Sequence, residues 1–84
     1  MAEEILIGKV SHYFTNIMVA AIELTDSLSV GDTIHIKGHT SDFTQTVDSM
    51  QIEGKNIEKA EKGQSIGIKV IEHARVGDEV YKVA

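Results

Sequence analysis

The residues that could do chemistry in this 84-residue chain are four histidines and a scatter of serines and aspartates. His35 and His39 fall on one face of a predicted strand, but positions four apart on a strand are separated by roughly 13 Å. That separation is too large for two imidazoles to bind one metal ion. The chain has no cysteine, no G-x-S-x-G elbow and no carboxylate pair spaced for acid–base work. The sequence therefore predicts a protein that is not an enzyme and that holds no metal or cofactor.

Three lysines lie in a polar segment between two predicted strands in the second half of the chain. Lys55, Lys59 and Lys62 are spaced so that a hairpin or a helical turn would present them together to a phosphate or an acidic surface. Glutamates are interleaved with these lysines, so a solvated segment with self-compensating charge is the simpler interpretation. The three lysines remain candidate partner-binding residues.

Tyr13 and Phe14 are neighbouring aromatic residues in a chain that has only two tyrosines and two phenylalanines. An exposed aromatic side chain can stack on a base or anchor a peptide. One of the two is expected in the core, because so few aromatic residues are available to fill it. Tyr13 is the candidate partner-binding residue of the pair.

The charge and hydropathy of the chain exclude some classes of function. The net charge is −5 at pH 7, and an acidic surface repels phosphate backbones, so general coating of DNA or RNA is not expected. No segment approaches the ~18 apolar residues needed to cross a bilayer, and the first residues lack a basic leader. We expect one small domain over residues 1–84, located in the cytoplasm, with neither DNA nor a membrane as partner.

Hydrophobic alternation and turn residues divide the chain into short strands. The predicted strands cover residues 4–10, 17–24, 33–39, 43–53, 65–72 and 79–83. Residues 11–16 have the composition of a turn. Val-Gly-Asp occurs at residues 30–32 and again at 76–78, where glycine would adopt a positive φ and aspartate would cap the turn. About six strands at this spacing predict an all-β sandwich or barrel.

Two stretches leave alternatives open. The apolar parity changes between Val47 and Met50, which predicts one long strand with a bulge near Asp48 and Ser49. Residues 56–62 are the only helical alternative, and an isolated helix that short is marginal in water. The edge strands of an incompletely closed barrel can also pair between two copies, so a weak homodimer is expected.

The stretch that includes both of these ambiguous segments resembles the second domain of the elongation factor Tu family of translational GTPases. The matching residues are Val47, Ser49, Met50, Ala60, Gly63, Ile66 and Gly67. The resemblance covers residues 7–83 and implies a six-stranded Greek-key β-barrel. The chain has no G-x-x-x-x-G-K-[ST] loop, so this chain alone is not expected to bind GTP.

In that family the barrel helps to hold the aminoacylated end of tRNA, and the two positions used for this fall on Gln51 and Ser65 here. Both residues depart from the glutamate and asparagine of the family pattern. The resemblance implies a non-enzymatic binding module that contacts a protein or a structured RNA, such as a tRNA-like end, through the region between them. The alternative is an accessory subunit or protein-interaction domain of a larger enzyme, with no nucleic-acid binding.

Overall fold

The computed structural model describes residues 3–83, and this part of the chain contains strands, turns and loops but no helix. The strands are β1 (Glu4–Phe14), β2 (Val19–Leu24), β3 (Leu28–Ser29), β4 (Thr33–Lys37), β5 (Asp42–Thr46), β6 (Met50–Ile52), β7 (Lys55–Ile57), β8 (Lys59–Ala60), β9 (Ser65–Lys69) and β10 (Glu79–Val83). The all-β class predicted from the sequence is confirmed. None of the described residues belongs to a helix long and apolar enough to cross a membrane.

Eight strands form one antiparallel sheet in the order β5-β4-β10-β1-β2-β9-β6-β7, and β3 pairs with β8 in a second sheet of two strands. The first and last strands of the chain are neighbours, and Glu4 pairs with Val83. The sequence predicted six strands rather than ten. The number differs because the polar segments after β2 and after β6 also form short strands, and because one predicted strand divides into two.

β1 is longer than predicted and reaches Phe14, so the turn expected at residues 11–16 is wrong for its first four residues. Those residues pair with β2, with His12 opposite Ala21 and Phe14 opposite Val19. Cross-strand pairing therefore overrides the turn-like composition of this segment. The turn itself begins after Phe14 and ends at Met18, which has a φ of +53°.

Gly8 lies inside β1, where the ladder with β10 shifts its register between Leu6 and Gly8. A Cβ at position 8 would lie 2.6 Å from the backbone oxygen of Glu23 and 2.9 Å from Cγ2 of Ile22. The backbone of β2 thus approaches β1 more closely than any side chain at this position would allow. A glycine inside a predicted strand indicated such an approach.

The two Val-Gly-Asp segments form the same turn twice. Gly31 has a φ of +97° and Gly77 a φ of +93°. In the first turn Asp32 Oδ2 accepts a hydrogen bond of 2.9 Å from Ser29 N. In the second turn Asp78 Oδ2 accepts one of 2.9 Å from Arg75 N. The turn geometry predicted from the sequence is confirmed, and each turn leads directly into a strand.

The long strand predicted over residues 43–53 is wrong, because its two halves pair with different parts of the chain. Val47 follows β5, donates its N–H to Asp32 O at 2.8 Å and accepts a bond from Gly31 N at 2.9 Å. Met50 instead pairs with Ile68 of β9. The change of apolar parity marks a break between two strands rather than a bulge.

The helical alternative over residues 56–62 is also wrong. β6 and β7 form a hairpin in which Ile52 pairs with Lys55. Its turn consists of Glu53, with a φ of +51°, and Gly54, with a φ of +79°. Two successive residues with positive φ are what a two-residue type I′ hairpin turn requires.

One apolar core lies under the sheets and takes buried residues from every strand except β7, whose partly buried Ile57 packs against it. The buried hydrophobic residues are Ile7, Val10, Ala20, Ile22, Leu24, Leu28, Ile34, Ile36, Phe43, Val47, Met50, Ala60, Ile66, Ile68, Val70, Ala74 and Val80. Most of them alternate with exposed residues along their strands, as expected of a sheet with one buried face.

Candidate functional site

Gln51 and Lys55, two of the predicted partner-binding residues, lie on the β6–β7 hairpin. Gln51 pairs with Asn56, and its Nε2 donates a hydrogen bond to Asn56 Oδ1 at 3.0 Å. Lys55 is exposed and follows the hairpin turn directly. The Gln51 side chain therefore stabilises the hairpin through this hydrogen bond and is itself exposed to solvent.

Lys59, Lys62 and Ser65 are exposed and lie on separate elements, namely β8, the turn before Gly63 and the first position of β9. Lys59 Nζ is 3.8 Å from Glu61 Oε1, and both side chains are mostly exposed. Such a pair contributes about 0–1 kcal/mol, which fits the interpretation of a self-compensating polar segment. The role of these residues in partner binding stays a prediction.

Tyr13 is half-buried and packs against the core, and its ring centroid is 4.4 Å from that of His73. Phe14 points the other way and is 46% exposed, with its ring centroid 4.5 Å from that of His12. Alternation along β1 separates the two aromatic residues in this manner. Of the pair, Phe14 rather than Tyr13 presents the larger aromatic surface to a partner.

His35 joins three strands on the outer face of the large sheet. Its Nδ1 lies 2.7 Å from Glu4 Oε2, and its Nε2 is hydrogen-bonded to Asp42 Oδ1. The bond to Asp42 raises the pKa of His35, partial desolvation opposes this rise, and the bond to Glu4 adds to it. The same bond lowers the pKa of the Asp42 carboxyl. The arrangement favours an imidazolium that donates to both carboxylates.

His35 and Ser41 are not placed as a base and a nucleophile of a hydrolytic site. A general base needs a ring nitrogen that can take a proton from a nucleophile, and both nitrogens of His35 are bound to carboxylates. Ser41 Oγ donates to the backbone oxygen of His73 at 3.4 Å rather than to an imidazole. No group of three or more His, Asp or Glu side chains in this part of the chain is placed to hold a metal ion.

A groove of about 600 Å³ opens between the end of β5 and the end of β9. Gln45 crosses between the two strands at this place. Its Nε2 donates to Lys69 O at 2.9 Å, and its Oε1 accepts from Ile71 N at 2.8 Å. A side-chain carboxamide therefore joins two strands that share no backbone ladder.

Apolar side chains surround one side of this groove. Ile71, which lines it, is 62% exposed, and Met18 lines it from the turn between β1 and β2. Ile17 in the same turn is 60% exposed. Val70 N donates to Met18 O at 2.9 Å, which holds this turn against the end of β9. Exposed apolar residues grouped beside a groove are typical of interaction surfaces.

The groove was not predicted from the sequence, since its walls come from residues far apart in the chain. Met18 and Ile71 both fell inside predicted strands, where an apolar residue indicates core rather than surface. The one available signal was Gln45, a polar residue at a position whose neighbours Phe43 and Val47 are buried. None of the six predicted partner-binding residues lines the groove.

This fold is the one found in the C-terminal domain of a Geobacillus thermoleovorans protein assigned to the U32 peptidases. The solved structure of that domain matches with a TM-score of 0.87 and 21% identity, covering 92% of this chain and 90% of that chain. Its selenomethionine form matches with a TM-score of 0.86 and 20% identity, covering 90% and 96%. At this level of identity the likeness shows the fold.

Closer similarity in sequence is found with proteins named as proteases. The chain is 43% identical over 79 residues to an uncharacterised protease of Methanocaldococcus jannaschii, which covers 93% of this chain and 19% of that protein. It is 38% identical over 82 residues to a collagenase of Porphyromonas gingivalis, which covers 95% and 20%. The chain thus spans about a fifth of the length of the curated relatives it matches. No family model matches the chain.

These similarities overturn the resemblance to the elongation factor Tu family and the translation-factor role that it implied. The relatives are named protease and collagenase, and they match over nine-tenths or more of this chain. The misleading residues were mostly structural. Met50, Ala60 and Ile66 are buried, and Gly63 has a φ of +91°. Such positions record packing and turn geometry, which unrelated small β-domains share.

Proposed function

We propose that this chain is a non-catalytic protein-interaction domain that serves a larger, protease-like protein. The observation that carries the proposal is the match to the Methanocaldococcus jannaschii protease, which takes in 93% of this chain but only 19% of that protein. The segment shared with the relatives is therefore a minor part of proteins whose names describe proteolysis.

The chemistry of the described residues supports a binding role over a catalytic one. His35 donates to two carboxylates, and Ser41 bonds to a backbone oxygen. Neither side chain is placed to activate a nucleophile for attack on a peptide bond. The exposed apolar residues beside the groove instead offer contact area to another protein.

The test uses the isolated chain and a chimera. The isolated chain, incubated with heat-denatured collagen and with casein, should release no fragments. In the Porphyromonas gingivalis collagenase, deletion of the matching segment should lower collagen cleavage, and insertion of this chain at the same place should restore part of it. An unrelated all-β domain of similar length, inserted there, is the matched control and should restore nothing.

Three results would contradict the proposal. Cleavage of either substrate by the isolated chain would show that it is catalytic. Unchanged collagen cleavage after the deletion would show that the segment serves no function in the protease. Binding of short single-stranded RNA that weakens steeply with salt would place the chain among nucleic-acid-binding domains instead.

The remaining expectations about partners stay predictions. They are a cytoplasmic location, weak self-association through edge strands, and the absence of DNA, membrane and GTP as partners. Light scattering over a range of concentrations measures the self-association directly.

A further inference from the structure

β5 is the outermost strand of the large sheet, so one of its edges has no strand beside it among residues 3–83. In an antiparallel ladder, alternate residues direct their N–H and C=O groups to the same neighbour. The bond of 2.7 Å from Gly38 N to Ser41 O sets this alternation for β4 and β5. Phe43 and Gln45 consequently bond to β4.

The residues that alternate with Phe43 and Gln45 along β5 direct their backbone groups away from β4. Asp42, Thr44 and Thr46 turn their N–H and C=O groups to the free edge, and their side chains are exposed. Outside the strand ladders, no backbone hydrogen bond among residues 3–83 uses these three residues. The edge therefore offers donors and acceptors at the spacing of a strand.

The groove continues this edge. Thr46 and Ser49 line it on the side of β5, and Val70 and Ile71 line it on the side of β9. The Gln45 carboxamide already bonds to the carbonyl of residue 69 and the N–H of residue 71, as the peptide group of an adjacent strand would. Gln45 thereby satisfies these two backbone groups on the far side of the groove, and the outward groups of β5 remain for a ligand.

The charges in the groove are of both signs. Lys69 and Asp48 both line it and are exposed, and neither takes part in an ion pair within the described residues. An extended peptide places successive side chains on opposite faces, so one segment can turn apolar residues to Ile71 and Met18 while its charged residues meet Lys69 and Asp48. An acidic residue complements Lys69, and a basic residue complements Asp48.

We propose that this groove binds an extended polypeptide segment as an added strand along the free edge of β5. The segment carries apolar side chains against Met18 and Ile71, with an acidic residue at Lys69 and a basic residue at Asp48. The inference rests on the proposed protein-interaction role and specifies its ligand. Backbone hydrogen bonds supply the affinity in this mode of recognition, and the alternate side chains supply the specificity.

The probe is a capped, soluble peptide that alternates valine with threonine and carries a glutamate near one end and a lysine near the other. Titration into the ¹⁵N-labelled chain should shift the amide signals of Thr44, Thr46 and Ile71. Hydrogen exchange at Thr44 and Thr46 should slow on binding, because their N–H groups become hydrogen-bonded. The same peptide with N-methylated valines is the matched control and should neither bind nor slow exchange.

Variants separate the backbone contribution from that of the side chains. Thr44→Pro removes an outward N–H without touching the ladder to β4, and should weaken peptide binding roughly tenfold. Thr44→Ala keeps the N–H and should bind like the parent chain. Ile71→Ser, at a position that is 62% exposed, should also weaken binding. Lys69→Glu should favour a peptide in which lysine replaces the glutamate.

The proposal falls if saturating peptide leaves the exchange of Thr44 and Thr46 unchanged, or if the shifts lie on the β6–β7 hairpin instead. Equal binding by the Thr44→Pro and Thr44→Ala chains would overturn it as well. These outcomes are independent of the collagenase chimera. Restored cleavage without peptide binding would remove this ligand and leave the interaction role, whereas a failed chimera would remove the role itself.

Discussion

Gly38→Ala should destabilise the fold through Asp78. A Cβ at position 38 would overlap Asp78 Oδ1 and lie 2.5 Å from its Cγ. Asp78 is only 5% exposed, and its Oδ2 accepts a bond of 2.9 Å from Arg75 N in the second Val-Gly-Asp turn. The new methyl group must displace the carboxylate, and the displaced carboxylate can no longer cap the turn.

The magnitude follows from the bond that is lost. A hydrogen bond to a charged group contributes about 1.5–3 kcal/mol, so Asp78→Ala and Gly38→Ala should each cost about 2 kcal/mol. The double variant should cost about 2–3 kcal/mol rather than about 4, because the cap can be lost only once. Its remaining tight contact is between the two Cβ atoms, at 3.2 Å.

Urea unfolding followed by far-ultraviolet circular dichroism measures these differences in a chain that has no tryptophan. In a domain of this size, 1 kcal/mol also shifts the Tm by about 4–8 °C. Asp32→Ala removes the equivalent cap in the first turn, and its cost should simply add to that of Gly38→Ala. If the costs of Gly38→Ala and Asp78→Ala add in the same way, the proposed displacement of the carboxylate is refuted.

Two further predictions concern β1 and the outer face of the sheet. Gly8→Ala should lower the free energy of unfolding by about 1–3 kcal/mol, the usual cost of overpacking, because the new Cβ would lie 2.6 Å from the backbone oxygen of Glu23. An unchanged urea unfolding curve would contradict this prediction. The pKa of His35 is raised above its ordinary 6.5, so its bonds to Asp42 and Glu4 stabilise the fold below pH 6.5 and are lost as the pH rises through the folded value. Stability should therefore fall as the pH rises above 6.5 in the parent chain and change less in His35→Gln; equal slopes of stability against pH in thermal unfolding would argue against this account.

The sequence predicted those parts of the fold that local chemistry determines. Ile34 and Ile36 alternate with exposed or half-buried residues in β4, and both are fully buried. Both Val-Gly-Asp turns have the expected positive φ at glycine and the expected aspartate cap. Alternation and turn geometry depend on a few adjacent residues, so a single sequence is sufficient to predict them.

Long-range pairing was not predictable in the same way. The segment from Phe43 to Ile52 alternates in both halves, and nothing local shows that Val47 bonds to the first turn while Met50 pairs with β9. The groove has the same origin, because Met18 and Ile71 are brought together only by the completed sheet. The predicted site relied on lysines and on a family resemblance, and the residues behind that resemblance are largely core and turn positions.

The pairing of Glu4 with Val83 has a consequence for how fast the chain folds. This contact joins residues at opposite ends of the described chain and lies inside the large sheet, between β1 and β10. The hairpins β1–β2, β4–β5 and β6–β7 form by closing short loops. The pairing of β10 with β1 instead joins strands that are separated by almost the whole sequence. Closing so long a loop lowers the conformational entropy of the chain before the stabilising contacts form. All-β domains with such topology fold in roughly milliseconds to seconds. The middle of the sheet is therefore expected to assemble after the hairpins on either side of it.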